Sequence, residues 1–407
     1  MIQLLIDISM IMTGTRFTGI PRVVMEISRQ LSDKKDIELH FLEFQQKKDC
    51  FEEIDTTAFL QFCKNRSGNR ARMRTGRYID YTKIKKDLKP ESDYTDDQDT
   101  EDRIIFLDLD TVWKSRVRRS FLYPLLREQN IQIISHVYDI IPVTHPQFCI
   151  LDDAICFLDY ISAVVQYSDQ IIVNSRATAH SLEKMCSDIQ LPALTETVQK
   201  IRIIPLGGNF AKKDRVQETN IRPQIRQIAK CGKYLLQVGT IEPRKNHRMV
   251  LDAYDAGLKE KGFSIVIVGF PGWNVDDLLA RIKEHPDYQN GIYYPENVND
   301  DELQYLYKNC FALMFPSFIE GYGLPIMEAM VKGVPVIASD TEINIETGGE
   351  CAVYYKKESI ESLIKTVDRL ENDQKLLSDM REKMRHFVPP TWEESGNLFY
   401  DLLTRDI

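Results

Sequence analysis

PSFIEGYGLPIMEAMVKGVPVIASD, residues 316–340, decides how the rest of this chain is read. A short apolar run, CFALMFPS (310–317), leads into a glycine loop, EGYGLP (320–325), and a helical pattern begins near Leu324 or Pro325. Proline fits a first helical turn, where its missing N–H would have no partner anyway. A glycine loop entering a helix presents unpaired backbone N–H groups and the positive end of the helix dipole, which together suit phosphate. Glu320 stands before the loop, and Glu328 is expected in the first turn of the helix. A carboxylate accepts two vicinal hydroxyl hydrogens at once. Two carboxylates straddling an anion-binding loop therefore suit a sugar carried on a diphosphate. The plainer alternative is that Glu328 merely favours its helix terminus and Glu320 caps a turn.

A second stretch, QVGTIEPRKNHRMVLDAY (237–254), repeats the pattern of strand, glycine turn at Gly239, polar loop and helix. Arg244 and Lys245 fall at the carboxyl mouth of that strand. Ligands of parallel α/β sheets bind in the crevice outside the carboxyl ends of the strands. An arginine and a lysine placed there would neutralise a diphosphate and stabilise it as a leaving group.

Working outward, short apolar runs alternate with amphipathic helical patterns. QLLIDIS (3–9) is followed by a glycine-containing loop and a helix over about 20–31. IELHFLEF (37–44), RIIFLDL (103–109), IQIISHVYD (131–139), QIIVNS (170–175) and KIRIIPLG (200–207) read as strands. KYLLQVGT (233–240), FSIVIVGF (263–270), GIYYPENV (291–298), CFALMFPS (310–317), VPVIASD (334–340) and AVYY (352–355) repeat the rhythm, with a helix near 247–260. Alternation of this kind predicts βαβ units and mostly parallel sheets. With 407 residues, two domains are expected: 1–206, then 207–388, joined near 206–232. A helix in 389–407 would be capped by Thr391, with Glu394 three residues on.

Residues 64–102 break the rhythm. Arg66, Arg70, Arg72, Arg74 and Arg77 cluster first, and Asp93, Asp96, Asp97, Asp99, Glu101 and Asp102 follow. One reading is a solvated, mobile insertion. The other is that the arginines meet anionic lipid or a lipid-diphosphate acceptor. The net charge of −9, from 52 basic and 61 acidic residues, argues against a nucleic-acid binder. No apolar run approaches the ~18–20 residues of a membrane helix. The start, MIQLLIDIS, reads as a first strand rather than a signal peptide. A soluble cytoplasmic protein, at most peripheral at the inner face of a membrane, is the expectation. The eight cysteines, at 50, 63, 149, 156, 186, 231, 310 and 351, include no pair separated by two residues, so they read as reduced thiols.

The C-terminal half resembles the large retaining GT-B family of glycosyltransferases, whose members include bacterial mannosyl-, rhamnosyl- and glucosyltransferases. The resemblance rests on GTIEPRKN (239–246), IVG (267–269), NVNDDELQYLY (297–307) and FPSFIEGYGLPIMEAMVKGVPVIAS (315–339), in the family's order and spacing. It implies an α/β fold of two Rossmann-like domains facing across a cleft, with the C-terminal helix returning to the N-terminal, acceptor-binding domain. It implies an E-x7-E pair in which Glu328 binds the nucleotide ribose and Glu320 lies against the donor sugar. Gly321, Tyr322, Gly323 and Leu324 would offer backbone N–H groups, Arg244 and Lys245 would clamp the diphosphate beside Gly239, and Val298 would sit near the base. In the N-terminal half, TGIPRVVMEISRQL (18–31) is similar to the family's glycine loop and first helix, with Gly19 approaching the donor phosphates and Arg22 as the matching arginine. SHVYDIIPVTHP (135–146) is similar to a segment that usually reads His-Asp, and here reads Tyr138–Asp139. Tyr138 or His136 would replace that histidine at the reacting centre, or the role is not needed.

These resemblances imply a transferase that moves a hexose from a nucleoside-diphosphate sugar, with retention, to a hydroxyl of a surface glycan or lipid-linked oligosaccharide. GDP-mannose is the favoured donor, followed by dTDP-rhamnose and the UDP-hexoses. An inactive sugar-nucleotide-binding partner subunit and a sugar-nucleotide epimerase are the competing readings. FLDLDTVW (106–113) carries D-x-D-x-T, a pattern of aspartyl phosphoryl transfer and of Mn²⁺-dependent transferases of another fold. Asp108 and Asp110 are read instead as ending a strand. The histidines, at 40, 136, 145, 180, 247, 285 and 386, form no close pair on a helix face. No metal or cofactor is expected.

Overall fold

The computed structural model describes residues 1–14, 19–65, 69–88, 103–189, 194–208 and 218–405. The chain divides into two compact units, Met1–Gly207 with Pro390–Ile407, and Gly208–Pro389. In the N-terminal unit the strands are β1 (Ile2–Asp7), β2 (Ile37–Gln45), β3 (Cys50–Ile54), β4 (Arg74–Ile79), β5 (Arg103–Asp108), β6 (Gln132–Val137), β7 (Gln170–Val173) and β8 (Ile201–Ile203). They form one sheet in the order β4-β3-β2-β1-β5-β6-β7-β8. The pairs β2–β3 and β3–β4 are antiparallel, and the rest are parallel. In the C-terminal unit β9 (Lys233–Val238), β10 (Phe263–Val268), β11 (Ile292–Tyr293), β12 (Ala312–Phe315), β13 (Val336–Ser339) and β14 (Ala352–Tyr355) lie in the order β11-β10-β9-β12-β13-β14, all parallel. Helices cover both faces of a parallel sheet, so its central strands are apolar throughout rather than alternating. All six residues of β10 are accordingly buried.

Each sheet has a point where the strand order turns back. In the N-terminal sheet β1 lies between β2 and β5; in the C-terminal sheet β9 lies between β10 and β12. Loops leaving neighbouring strands in opposite directions open a crevice there. The loops after β9 and β12 flank it in the C-terminal unit.

The C-terminal helix Trp392–Thr404 starts with a capping box in which Thr391 and Glu394 satisfy each other's backbone N–H groups. It packs on the helix Ile20–Ser32. A Cβ at Gly396 would stand 2.3 Å from Gln30 Cβ, so the close approach of these helices requires glycine. The Ser395 hydroxyl donates to Pro205 O at 2.7 Å, tying this helix to the chain as it leaves the first sheet.

Two expectations need correction. The segment 64–102 is not wholly an irregular insertion: residues 70–73 form a 3-10 turn, β4 follows, and Ile84–Leu88 is helical. The arginines are the reason. Arg74 makes two 2.7 Å hydrogen bonds to Glu43. Arg77 bonds Glu53 at 3.2 Å and Asp87 O at 2.6 Å, and Arg70 bonds Ile11 O at 2.7 Å. Arg74 ties the edge hairpin to β2, Arg77 ties it to β3 and the following helix, Arg70 reaches the segment after β1, and Arg72 stays exposed. Arg66 and the acidic run from Asp93 to Asp102 lie outside the described residues. The expected strand over 291–298 shrinks to Ile292–Tyr293, because the following residues turn toward the next helix and Asn297 adopts a positive φ of 55°. Among the described residues, no helix is long and apolar enough to cross a membrane.

The ends of β1, β5 and β6 meet in a buried polar network. Arg119 donates to Asp108 at 2.6 and 2.9 Å and to Asp7 at 2.7 Å. The Tyr123 hydroxyl donates to Asp108 at 2.6 Å and lies 2.9 Å from Ser135 Oγ. The two carboxylates and the guanidinium are at most 1% exposed. Asp108 ends β5 as expected, Asp110 lies two residues beyond it, and both carboxylates are taken up by the fold. Asp110 accepts from the backbone N–H groups of Ile11 at 3.0 Å and Thr111 at 2.7 Å. Removing one partner of such a cluster leaves uncompensated buried charge, so Arg119→Met should cost the N-terminal unit about 3–5 kcal/mol. Urea unfolding followed by circular dichroism checks this; an unchanged midpoint would show that water reaches the carboxylates.

Candidate active site

The loops after β9 and β10 are packed backbone against backbone. The register sets Val238 opposite Val268, so both strands end level. Gly239 N donates to Val268 O at 3.0 Å, Ile241 N to Phe270 O at 2.8 Å, and Gly272 N to Ile241 O at 2.8 Å. A Cβ at Gly269 would lie 1.8 Å from Gly239 O, so IVG ends in glycine because the neighbouring loop occupies that space. Gly239 itself has a φ of 141° and faces the end of the Lys245 side chain: its Cβ would stand 3.7 Å from Lys245 Cε. The turn Pro243–Lys245 ends at Asn246, whose φ of 52° suits asparagine, and a helix begins at His247.

Arg244 and Lys245 both reach Glu320, across from the loop after β12. Arg244 donates to Glu320 at 2.5 Å and to Ile319 O at 3.2 Å, and the Lys245 ammonium contacts the other carboxylate oxygen. Phe318 N donates to Arg244 O at 2.8 Å, and Gln237 donates to Lys245 O at 3.0 Å. Glu242 forms a further 2.5 Å ion pair with Arg244. The site is largely dry, with Glu242 3%, Lys245 9% and Glu320 9% exposed. Burial pushes the Glu320 carboxyl up, but the adjacent Arg244 and Lys245 charges outweigh it and hold it at about 2. Burial pulls the Lys245 ammonium down against the opposing pull of Glu320. His247, next to this lysine, is held neutral, its pKa lowered to about 3 by burial and then by Lys245. The arrangement is a pair of cations held at a strand mouth by carboxylates.

Gly321, Tyr322 and Gly323 complete the glycine loop. Gly323 has a φ of 91° and directly precedes the helix Leu324–Val331, with Pro325 in its first turn. Three residues that the motifs did not single out hold this loop from beneath. The Thr347 hydroxyl donates to Tyr322 O at 2.6 Å, and the Ser339 hydroxyl donates to Ser317 O at 2.6 Å. Asn344 Nδ2 donates to Ser339 Oγ at 2.9 Å. The visible sequence signal is only that polar residues follow an apolar strand. The helix begins at Leu324, so Glu328 is its fifth residue and lies beyond the first turn, a correction to the expected placement. It is half-buried and accepts from the Tyr307 hydroxyl at 3.3 Å. Val298 is half-buried in the loop before the helix Asp300–Asn309, where Asn299 and Glu302 form a capping box.

The remaining candidates belong to the N-terminal unit. Gly19 precedes the helix Ile20–Ser32 at a φ of 66°, with open space where a Cβ would stand, and Arg22 is half-buried in the first turn. Asp139 accepts from Ile141 N at 3.0 Å, shaping the turn after β6. His136 and Tyr138 do share a face, with ring centroids 4.1 Å apart. Both are buried: the Tyr138 hydroxyl donates to Leu109 O at 2.7 Å, and burial lowers the His136 pKa to about 3. Both line a cavity of about 30 Å³ with Trp113 and Tyr160, room for little more than a water molecule. The structure thus brings Arg244, Lys245 and Glu320 into direct contact, with Gly239 beside the end of the Lys245 side chain and Gly321–Leu324 continuing from Glu320, while His136 and Tyr138 are packed into a core.

Residues 218–387 match the model of the family described as glycosyl transferases group 1. Serotype-specific mannosyltransferase WbdA of Escherichia coli is 29% identical over 235 residues, 57% of this chain and 29% of that protein. O-antigen chain mannosyltransferase B of Escherichia coli is 37% identical over 139 residues, 34% of this chain and 36% of that protein. The chain thus spans well under half the length of either relative. Anabaena HepE, solved in complex with UDP and glucose, shares the fold with a TM-score of 0.63 at 11% identity, over 99% of both chains. The catalytic domain of starch synthase IV from Arabidopsis thaliana, bound to ADP and acarbose, gives 0.63 at 14% identity over 99% of this chain and 98% of that one. The fold is GT-B. The match to the glycosyl transferases group 1 model falls within the C-terminal unit and includes the motifs at 239–246 and 315–339.

Two outcomes follow from this geometry. Gly269→Ala forces a methyl group against Gly239 O and should cost about 2–3 kcal/mol; an unchanged melting temperature would show that the two loops separate freely. For Glu320, a folded pKa of about 2 against the usual 4.5 means that its stabilisation is complete above pH 4.5 and lost as the pH falls toward 2. Melting temperatures between pH 6 and 3 should therefore fall less steeply in Glu320→Gln than in the wild type, and parallel curves would contradict the assignment.

Proposed function

We propose that this chain is a retaining glycosyltransferase that moves a hexose from a nucleoside-diphosphate sugar to a hydroxyl of a growing surface glycan or lipid-linked oligosaccharide, with GDP-mannose as the favoured donor. The observation that carries this is Glu320 gripped by Arg244 and Lys245 beside the glycine loop. A dry pair of cations next to a helix N-terminus suits a diphosphate, and a carboxylate in the same cluster suits the hydroxyls of the attached sugar. The mannose preference draws on the names of the WbdA and O-antigen mannosyltransferase relatives.

In this mechanism Arg244 and Lys245 shift from Glu320 toward the donor and stabilise the charge that builds on the β-phosphate as its bond to the sugar breaks. Their burial makes each charge count for more than it would in water. Glu320, released in part, turns to the sugar hydroxyls, and Glu328 holds the ribose. No protein carboxylate acts as nucleophile: the acceptor hydroxyl enters on the face the diphosphate leaves and passes its proton to the leaving phosphate oxygen. The two cations supply the charge that a metal ion would otherwise bring, so turnover is proposed to persist in EDTA. A second reading, an inactive sugar-nucleotide-binding subunit, is favoured by one observation: Tyr138 stands where the family has histidine, with its hydroxyl already engaged on Leu109 O.

The test is donor consumption and product mass with GDP-mannose, dTDP-rhamnose and UDP-glucose, each with and without glycan acceptors. The transferase reading expects an acceptor-dependent product one hexose heavier, with kcat/KM reduced about 100-fold or more in Lys245→Ala and about tenfold in Glu328→Ala. Donor binding without consumption would favour the inactive subunit, and near-normal kinetics in both variants would defeat the site assignment.

A further inference from the structure

Glu328 lies one residue beyond the first turn of its helix, so the free N–H groups of the helix start do not orient it. Its neighbours do. The Tyr307 hydroxyl donates to Glu328 Oε2 at 3.3 Å from the last turn of the helix Asp300–Asn309. That helix is fixed at its start by the Asn299–Glu302 capping box and by Arg222, which donates to Glu302 at 2.7 and 2.8 Å. Near its end, the Tyr234 hydroxyl donates to Leu306 O at 2.6 Å. Tyr307 is 1% exposed, so its ring has no freedom to move away from the carboxylate. The Lys332 ammonium lies 5.0 Å from the centre of the Tyr307 ring and donates to Glu328 O at 3.3 Å. A cation over the ring draws electron density from the phenol and makes its O–H a better donor. Burial and the Glu328 charge both raise the Tyr307 pKa, so the hydroxyl keeps its proton.

We infer that Tyr307 is a positioning residue: it fixes the Glu328 carboxylate in the orientation that receives the vicinal hydroxyls of a ribose. Lys332 supports the same geometry from the far end of the helix turn. The inference rests on the proposed contact between Glu328 and the nucleotide ribose, and deepens it. An ordinary buried tyrosine would contribute to packing alone, and losing its hydroxyl would then affect every nucleotide equally.

The experiment measures calorimetric Kd values of the full chain for GDP and UDP and for their 2′,3′-dideoxy analogues, in the wild type, Tyr307→Phe and Glu328→Gln, with melting temperatures of the unliganded proteins alongside. For the base that binds, the wild type should prefer the ribose form. Tyr307→Phe should weaken the ribose form roughly tenfold, the size of one lost hydrogen bond to a charged group, and leave the dideoxy form within about twofold. Glu328→Gln should abolish the preference, and adding Tyr307→Phe to it should change nothing more. A Tyr307→Phe variant that keeps the full ribose preference, or weakens both forms alike, overturns the inference. A wild type with no ribose preference, or no binding of either base, overturns the underlying reading of Glu328 instead.

Discussion

The candidate site depends on one buried carboxylate. Glu320 ties the loop after β9 to the loop after β12 through Arg244 and Lys245, at the strand where the sheet order turns back. Lys245 could not be held in so dry a place without it, because desolvating an unpaired charge costs several kcal/mol. Glu242 supplies a second anion to Arg244, so the cluster balances two cations with two carboxylates. The proposed donor diphosphate would exchange partners with a carboxylate already there and would not need to recruit charges from solvent. His247 stays neutral beside this cluster, chiefly because it is buried and secondarily because of the Lys245 charge.

Around this cluster the backbone has little latitude. Gly269 accommodates the carbonyl of Gly239, Gly323 turns the chain into its helix, and Thr347, Ser339 and Asn344 hold the glycine loop from beneath. These contacts differ in kind from the ion pairs. They are short-range, steric or hydrogen-bonded, and they set where the charges stand. The N-terminal unit uses the opposite arrangement at its strand ends, where Arg119 is enclosed by Asp7 and Asp108 with no residue exposed beyond 1%. That network is closed upon itself and reads as scaffold. A D-x-D-x-T pattern that resembles a catalytic motif in one dimension becomes a structural salt bridge in three.

Much of this was legible in the residues. The parallel strands announce themselves as apolar runs, and the glycine loop, Pro325 and the capping pair Thr391–Glu394 are local devices whose partners lie within a few residues. Arg244, Lys245 and Glu320 were also legible, as two motifs at strand mouths. Less so was the edge hairpin of β3 and β4, since its pairing depends on Arg74 reaching Glu43, thirty-one positions away. The fate of His136 and Tyr138 was equally hidden. Alternation on a strand places them on one face, but only packing decides whether that face meets solvent or a core.

By itself, then, the sequence determined the fold class, the two-unit layout and which charged residues stand at the strand mouths of the C-terminal unit, because each follows from periodicities and short motifs that act over one or two turns of chain. The tertiary structure decided which charges pair, that Glu328 leans on Tyr307, that the arginines at 70, 74 and 77 are tied down within the fold, and that Tyr138 is spent on Leu109 O. Those outcomes depend on burial and on which distant side chain arrives within about 3 Å, the reach of a hydrogen bond, and no local pattern encodes that distance.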